Sequence, residues 1–141
     1  MTESVVVDAS VALSWVLPGE DTQDVIKLRD RAADKPGISL FVPPTFWYEV
    51  ANALWVATRR QRITPEVAGE ALSVLRDFLF EEWAPDPAAC LGMALEQEIS
   101  VYDAAYLQIA TDTRSLLWTV DRLLLQASRR LGLRTEPLER V

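Results

Sequence analysis

Apolar residues run along this chain in two rhythms. At Val5-Val6-Val7, at "ISLFV" (38–42) and at "LLWTV" (116–120) they form short runs closed off by polar or turn residues. The first and last of these lack alternation, the pattern of strands covered on both faces of a sheet. Elsewhere apolar residues recur at helical spacing. "ASVALSWVL" from Ala9 predicts a helix stopped by Pro18-Gly19, and Asp21 to Asp34 a charged helix ending near Pro36-Gly37. From Thr45 to Arg60, Phe46, Val50, Ala53, Leu54 and Ala57 make a stripe that Trp47, Tyr48 and Trp55 widen beyond one face. Pro65 opens an amphipathic helix through Leu72, Leu75 and Leu79, and "FEEWA" at 80–84 is a further strand candidate. Helices are expected at 86–97 and 101–112. After 116–120, a helix starts at Asp121, carries Leu124, Leu125, Ser128 and Leu131 on one face and stops at Gly132. A last strand is expected near 134–138.

Alternating strands and helices, without an internal repeat, low-complexity tract or linker, predict one α/β domain over residues 1–141. Its architecture is a three-layer α/β/α sandwich on a mostly parallel sheet. A chain of 141 residues removes roughly two-thirds of its unfolded surface from water on folding, enough for a core without disulfide or structural metal. With a single cysteine, Cys90, no pairing within the chain is possible. No charged and apolar leader or long apolar run is seen, so a reducing cytoplasmic setting without a membrane partner is expected.

Charge narrows the chemistry. The net charge of -7, from 21 acidic and 14 basic residues, argues against broad attraction to nucleic acid, and the absence of histidine removes the commonest general base and every histidine-containing metal site. Catalysis would then rest on carboxylates, lysines or oxygen-bound metal ions.

Four carboxylates stand out. Asp8 follows the first strand and precedes a helix, and Asp121 repeats that arrangement after "LLWTV". Each has an ordinary reading as a helix N-cap. Topology couples them, because strand carboxyl ends in an open α/β sheet face a common crevice; if the first and fourth strands are neighbours, the two acids meet there. Glu49 lies on the flank of the 45–60 stripe, otherwise readable as a solvated helix former. Asp103 shares a face with Leu107 and Ala110, and Ser100-x-x-Asp103 also reads as a capping box. Clustered carboxylates raise one another's pKa unless cations hold them together, and Mg²⁺ or Mn²⁺ suits an all-oxygen donor set. Ser10 and Thr119, each two residues from an aspartate, are candidate supports for those acids.

The blocks "VVVDASVALSW", "VPPTFWYEVANALW", "SVYDAAYLQIA" and "LLWTVDRLL", in this order and over nearly the whole chain, resemble the PIN-domain ribonucleases, specifically the VapC-type toxins of type II toxin-antitoxin pairs. The resemblance implies a five-stranded parallel sheet between helices. It also implies that Asp8, Glu49, Asp103 and Asp121 are metal-binding catalytic acids, with Ser10, Asn52 and Thr119 supporting them. Homodimerisation and inhibition by a VapB-type antitoxin are implied in the same way. The expected reaction is hydrolysis of an RNA phosphodiester with Mg²⁺ or Mn²⁺ activating water and stabilising the leaving oxygen. Bound cations would cancel the four site acids, and Arg59, Arg60, Arg62, Arg114 and Arg122 are candidate phosphate contacts.

Two enzyme alternatives fail on residue identity. A receiver-type phosphoacceptor needs an acidic pair after the first strand and a late lysine, whereas Asp8 has no such neighbour and the lysines are Lys27 and Lys35. A haloacid-dehalogenase-like phosphatase needs a second aspartate where Ser10 stands. Two other readings stay open: a non-catalytic PIN-like module binding RNA or protein, and an RNA-processing nuclease outside a toxin-antitoxin pair.

Overall fold

The unalternating Val5, Val6 and Val7 occupy the middle of the sheet, where helices on both faces shut out solvent completely. The structure, a computed structural model, describes residues 3–34 and 37–137. Its strands are β1 (Glu3–Val7), β2 (Ile38–Val42), β3 (Glu81–Glu82), β4 (Leu116–Trp118) and β5 (Thr135–Glu136). They form one sheet in the order β3-β2-β1-β4-β5. All four pairings are parallel, with Val7 opposite Trp118. The expected mostly parallel sheet is therefore wholly parallel among the described residues, and the first and fourth strands are neighbours. The chain winds outward from β1 through β2 to β3, then crosses to β4 on the other side. That reversal opens a crevice at the carboxyl ends of β1 and β4.

Seven helices make the crossovers: α1 (Ala9–Ser14), α2 (Gln23–Asp34), α3 (Phe46–Arg59), α4 (Pro65–Arg76), α5 (Pro87–Gln97), α6 (Val101–Thr113) and α7 (Arg122–Leu131). Helix α6 packs across β1, β2 and β4 with α5 against it, while α3 contacts α1 and α4. The core joins Val5–Val7, Leu117 and Trp118 to Tyr106, Leu107 and Ile109 of α6, all fully buried. No helix among the described residues is long and apolar enough to cross a membrane.

Several boundaries move from their expected places for identifiable reasons. The first helix ends at Ser14 rather than near Pro18, because the chain tightens into turns, with Val16 N–H donating to Leu13 O at 3.1 Å. This sends Trp15 into the core, where its indole N–H donates to Val25 O at 2.8 Å and its ring meets Phe78 at 4.9 Å. Trp15 is thus a core residue. Helix α2 begins at Gln23, two residues later than expected. Helix α4 stops at Arg76, and a left-handed Leu79 (φ 57°) lets Phe78 and Phe80 both turn inward, their rings 6.0 Å apart. Strand β4 ends at Trp118, releasing Thr119 and Val120 to shape the crevice. Of the strand expected at 134–138, Thr135 and Glu136 are seen and residue 138 lies outside the described residues.

Candidate active site

Asp8 is the first residue beyond β1 and is 5% exposed. Its backbone carbonyl opens α1, accepting from Val11 N–H at 3.0 Å, but its side chain makes no capping bond. The N-cap reading is therefore corrected. The carboxylate instead receives Ser10 Oγ–H at 2.5 Å and Thr119 Oγ1–H at 2.9 Å, both on Oδ2. The same hydroxyl oxygens accept in turn, Ser10 from Val120 N–H at 3.2 Å and Thr119 from Asp121 N–H at 3.0 Å. Two short polar side chains thereby join the ends of β1 and β4 and fix the path leading into Asp121.

The other acids reach the crevice from helix starts. Glu49, in the first turn of α3, accepts on Oε1 from Thr45 Oγ1–H at 3.2 Å and from the Tyr106 hydroxyl at 3.4 Å. Asp103 lies in the first turn of α6, where its N–H is capped by Ser100 Oγ at 3.0 Å. Asp121 is the N-cap of α7 and accepts from Leu124 N–H on Oδ1 at 3.0 Å, as its ordinary reading anticipates. The N-termini of α6 and α7 direct the positive ends of their dipoles toward these acids, which eases the gathering of negative charge.

Three of the four acids are shifted by burial and by neighbouring charge. Burial pushes the Asp8 carboxyl up from 3.8 to about 6; Ser10 and Thr119 oppose that rise, and the charges of Asp121 and Asp103 add to it. Glu49 is pushed up to about 7, first by burial and then by the charge of Asp8. Asp103 is raised by burial and by Asp121. Buried beside Asp8 and Glu49, Tyr106 has its hydroxyl pushed far above the usual phenol range, so it stays protonated and donates to Glu49.

No protein-family model matches this chain. It is 30% identical over 123 residues to Ribonuclease VapC3 of Pyrobaculum aerophilum, an alignment spanning 84% of this chain and 90% of that protein. The chain belongs to the VapC family. The crystal structure of PAE2754 from Pyrobaculum aerophilum shares the VapC chain's fold, with a TM-score of 0.73 and 24% identity over 96% of this chain and 92% of that one.

In this VapC chain the donor set suits a hard divalent cation. Among the described residues no group of three or more acid or cysteine side chains closes into a ready-made metal cage. The way the acids are held is nevertheless informative. Asp8 uses Oδ2 for both its bonds, Glu49 uses Oε1 for both, and Asp121 uses Oδ1 to cap. Each is anchored through one oxygen, and the other takes no part in those bonds. That all-oxygen, net-negative set fits Mg²⁺ or Mn²⁺ and offers nothing to softer metals.

Other sequence candidates separate by position. Ser10 and Thr119 hold Asp8 as described. Asn52 is exposed on α3 and lines a groove with Glu49 and Arg60. Arg122 is exposed directly after Asp121. Arg59, Arg60 and Arg62 gather at the far end of α3. Arg114 caps the opposite end of α6 from Asp103, about 16 Å along the helix axis and away from the crevice. Thr45 and Tyr106 were not among the sequence candidates, although both contact Glu49. Thr45 stands one turn before Glu49, a signal available in the sequence. Tyr106 is hidden in the apolar stripe of α6.

Proposed function

We propose that this VapC-family chain is a metal-dependent endoribonuclease and the toxin of a toxin-antitoxin pair, hydrolysing RNA phosphodiesters at the cleft formed by Asp8, Glu49, Asp103 and Asp121. The observation that carries this reading is the raised pKa values of Asp8, Glu49 and Asp103, each pushed up by burial and by the charge of neighbouring acids, beside the β1–β4 crevice in a chain without histidine. Bound Mg²⁺ or Mn²⁺ would activate a water and neutralise charge on the phosphate and the leaving oxygen.

The chain's own residues supply position. Asp8 and Glu49 are anchored through one oxygen each, so the outward oxygens are set before a ligand arrives. Ser10 and Thr119 prevent Asp8 from rotating, and Thr119 ties Asp121 to the same network. Without a cation, Glu49 holds a proton much of the time at neutral pH. Cation and proton compete for the same oxygens, so metal affinity falls as pH drops from neutrality.

Purified protein should cut RNA in Mg²⁺ or Mn²⁺ and not in EDTA. Asp8→Asn and Asp103→Asn should each lower the rate by at least about a hundredfold with the fold intact by circular dichroism. Variants as active as the parent, or a parent inert with both metals, would refute the assignment. Expression of the active chain alone should arrest growth, and a co-expressed VapB-type partner from an adjacent reading frame should restore it. Growth unaffected by a demonstrably active protein would favour an RNA-processing role instead. Homodimerisation and residence in the cytoplasm remain part of this proposal.

A further inference from the structure

The outer face of α3 carries side chains that neither the core nor the acid cluster uses. Tyr48 is 81% exposed and Trp55 56% exposed. Asn52 and Arg59 are exposed at the intervening and following turns, so these residues form one crest about 16 Å long. The Arg59 guanidinium lies over the Trp55 ring at 5.4 Å from its centroid. Along the flank facing α1 runs a groove of about 390 Å³, with Glu49 and Asn52 toward the acid cluster and Arg60 and Arg62 toward the far end of α3.

We propose that this crest and groove form a track for single-stranded RNA. Bases stack on Tyr48 and Trp55, while backbone phosphates run from the acid cluster to Arg60 and Arg62. The inference rests on the ribonuclease reading and extends it to the side chains that would carry the strand and the direction in which it lies.

Three observations select this occupant. First, the track is continuous with the site, because Tyr48 adjoins Glu49 in sequence and Glu49 itself lines the groove. Second, the charge is complementary. In a chain of net charge -7, Arg60 and Arg62 line one end of the groove with Arg59 on the adjoining crest, three cations against the one carboxylate, Glu20, that lines the wall beside Arg62. The Arg60 backbone N–H donates to Val56 O at 2.9 Å, but its side chain has no hydrogen bond or ion pair among the described residues. Arg62 pairs with Glu20 at 3.1 Å, both side chains being more than a third exposed, and so weak a surface pair yields readily to a phosphate. Trp55 stands at the rim between two grooves and borders the apolar one on the α4 flank, which Ala51, Leu54 and Leu72 also line; that groove has no charged group in its wall and offers phosphate no partner. Third, aromatic faces presented to solvent stack unpaired bases, whereas bases within a duplex are already stacked on one another.

The test measures binding rather than cleavage. The full chain carrying Asp103→Asn, which leaves the RNA intact, is titrated in Mg²⁺ against a short fluorescent oligouridine and against a duplex of equal length, with anisotropy as the readout. The single strand should bind at least about tenfold more tightly. Trp55→Ala and Tyr48→Ala should each weaken it about tenfold, and Trp55→Phe should recover most of the loss. Arg60→Ala should reduce the slope of log affinity against log salt by about 0.7. Unchanged affinity in the aromatic variants, or equal binding of the duplex, overturns the proposal. So does a Trp55→Ala variant that dissociates a dimer in sedimentation equilibrium while binding RNA as before, since the crest would then be an interface between copies. A parent chain that cuts no RNA while this binding pattern holds would refute the nuclease reading and leave the track standing. A cleaving parent whose crest variants bind normally would do the reverse.

Discussion

Asp8 is held by two hydroxyls at the end of the central strand, and its buried carboxyl titrates at about 6 rather than 3.8. The sign of the consequence follows from which state releases its proton first. Below the unfolded value both states are protonated and nothing is lost. Between the two values the unfolded chain ionises while the folded one keeps its proton, so stability falls as pH rises. Above about pH 6 the full penalty is present, on the order of 3 kcal/mol for Asp8. Urea denaturation in EDTA should therefore show Asp8→Asn gaining stability over the parent as pH rises from about 4 to about 7, the gap reaching roughly that value. Parallel profiles would contradict it. Asp8 was visible in the sequence as a carboxylate beside an apolar run. Its side-chain partners were only half visible: Ser10 is two residues away, but Thr119 is brought to it by strand pairing.

Helix starts account for much of the site, and α7 lets two roles of one residue be separated. Asp121 caps Leu124 N–H at 3.0 Å, and an asparagine there can still cap. Asp121→Asn should leave thermal stability within a few tenths of a kcal/mol, whereas Asp121→Ala should cost about 1 kcal/mol. Both should weaken Mn²⁺ binding measured by calorimetry. If only the alanine variant did so, Asp121 would be a cap and no ligand. The cap signals at Ser100 and Asp121 were legible because a cap is a local hydrogen bond within a few residues. The end of α1 was not. "ASVALSWVL" keeps a helical pattern to Leu17, but the indole of Trp15 reaches Val25 O and the ring of Phe78, and those distant partners govern the turn.

Across the whole molecule, acids gathered at one crevice in a chain of net charge -7 would make cation binding a stabilising event. Any ligand held by the folded state alone raises stability by about 2.7 kcal/mol at a hundredfold excess over its dissociation constant. Mn²⁺ should thus raise the melting temperature, more at neutral pH than near pH 5, where protons occupy Asp8 and Glu49. The shift should vanish in the Asp8→Asn/Asp103→Asn double variant. An undiminished shift there would place the metal elsewhere.

The sequence alone carried the alternation of strands and helices and the buried character of β1 and β4, and it singled out four acids as candidates. These depend on residue type and on periods of two or three to four residues. Tertiary structure decided what period cannot express: that β1 and β4 are adjacent, that Asp8 is held by Thr119 rather than capping α1, that Tyr106 reaches Glu49, and that Trp15 is core while Tyr48 and Trp55 face solvent. Each of those outcomes rests on a contact between residues far apart in the chain or on which face a neighbouring element covers.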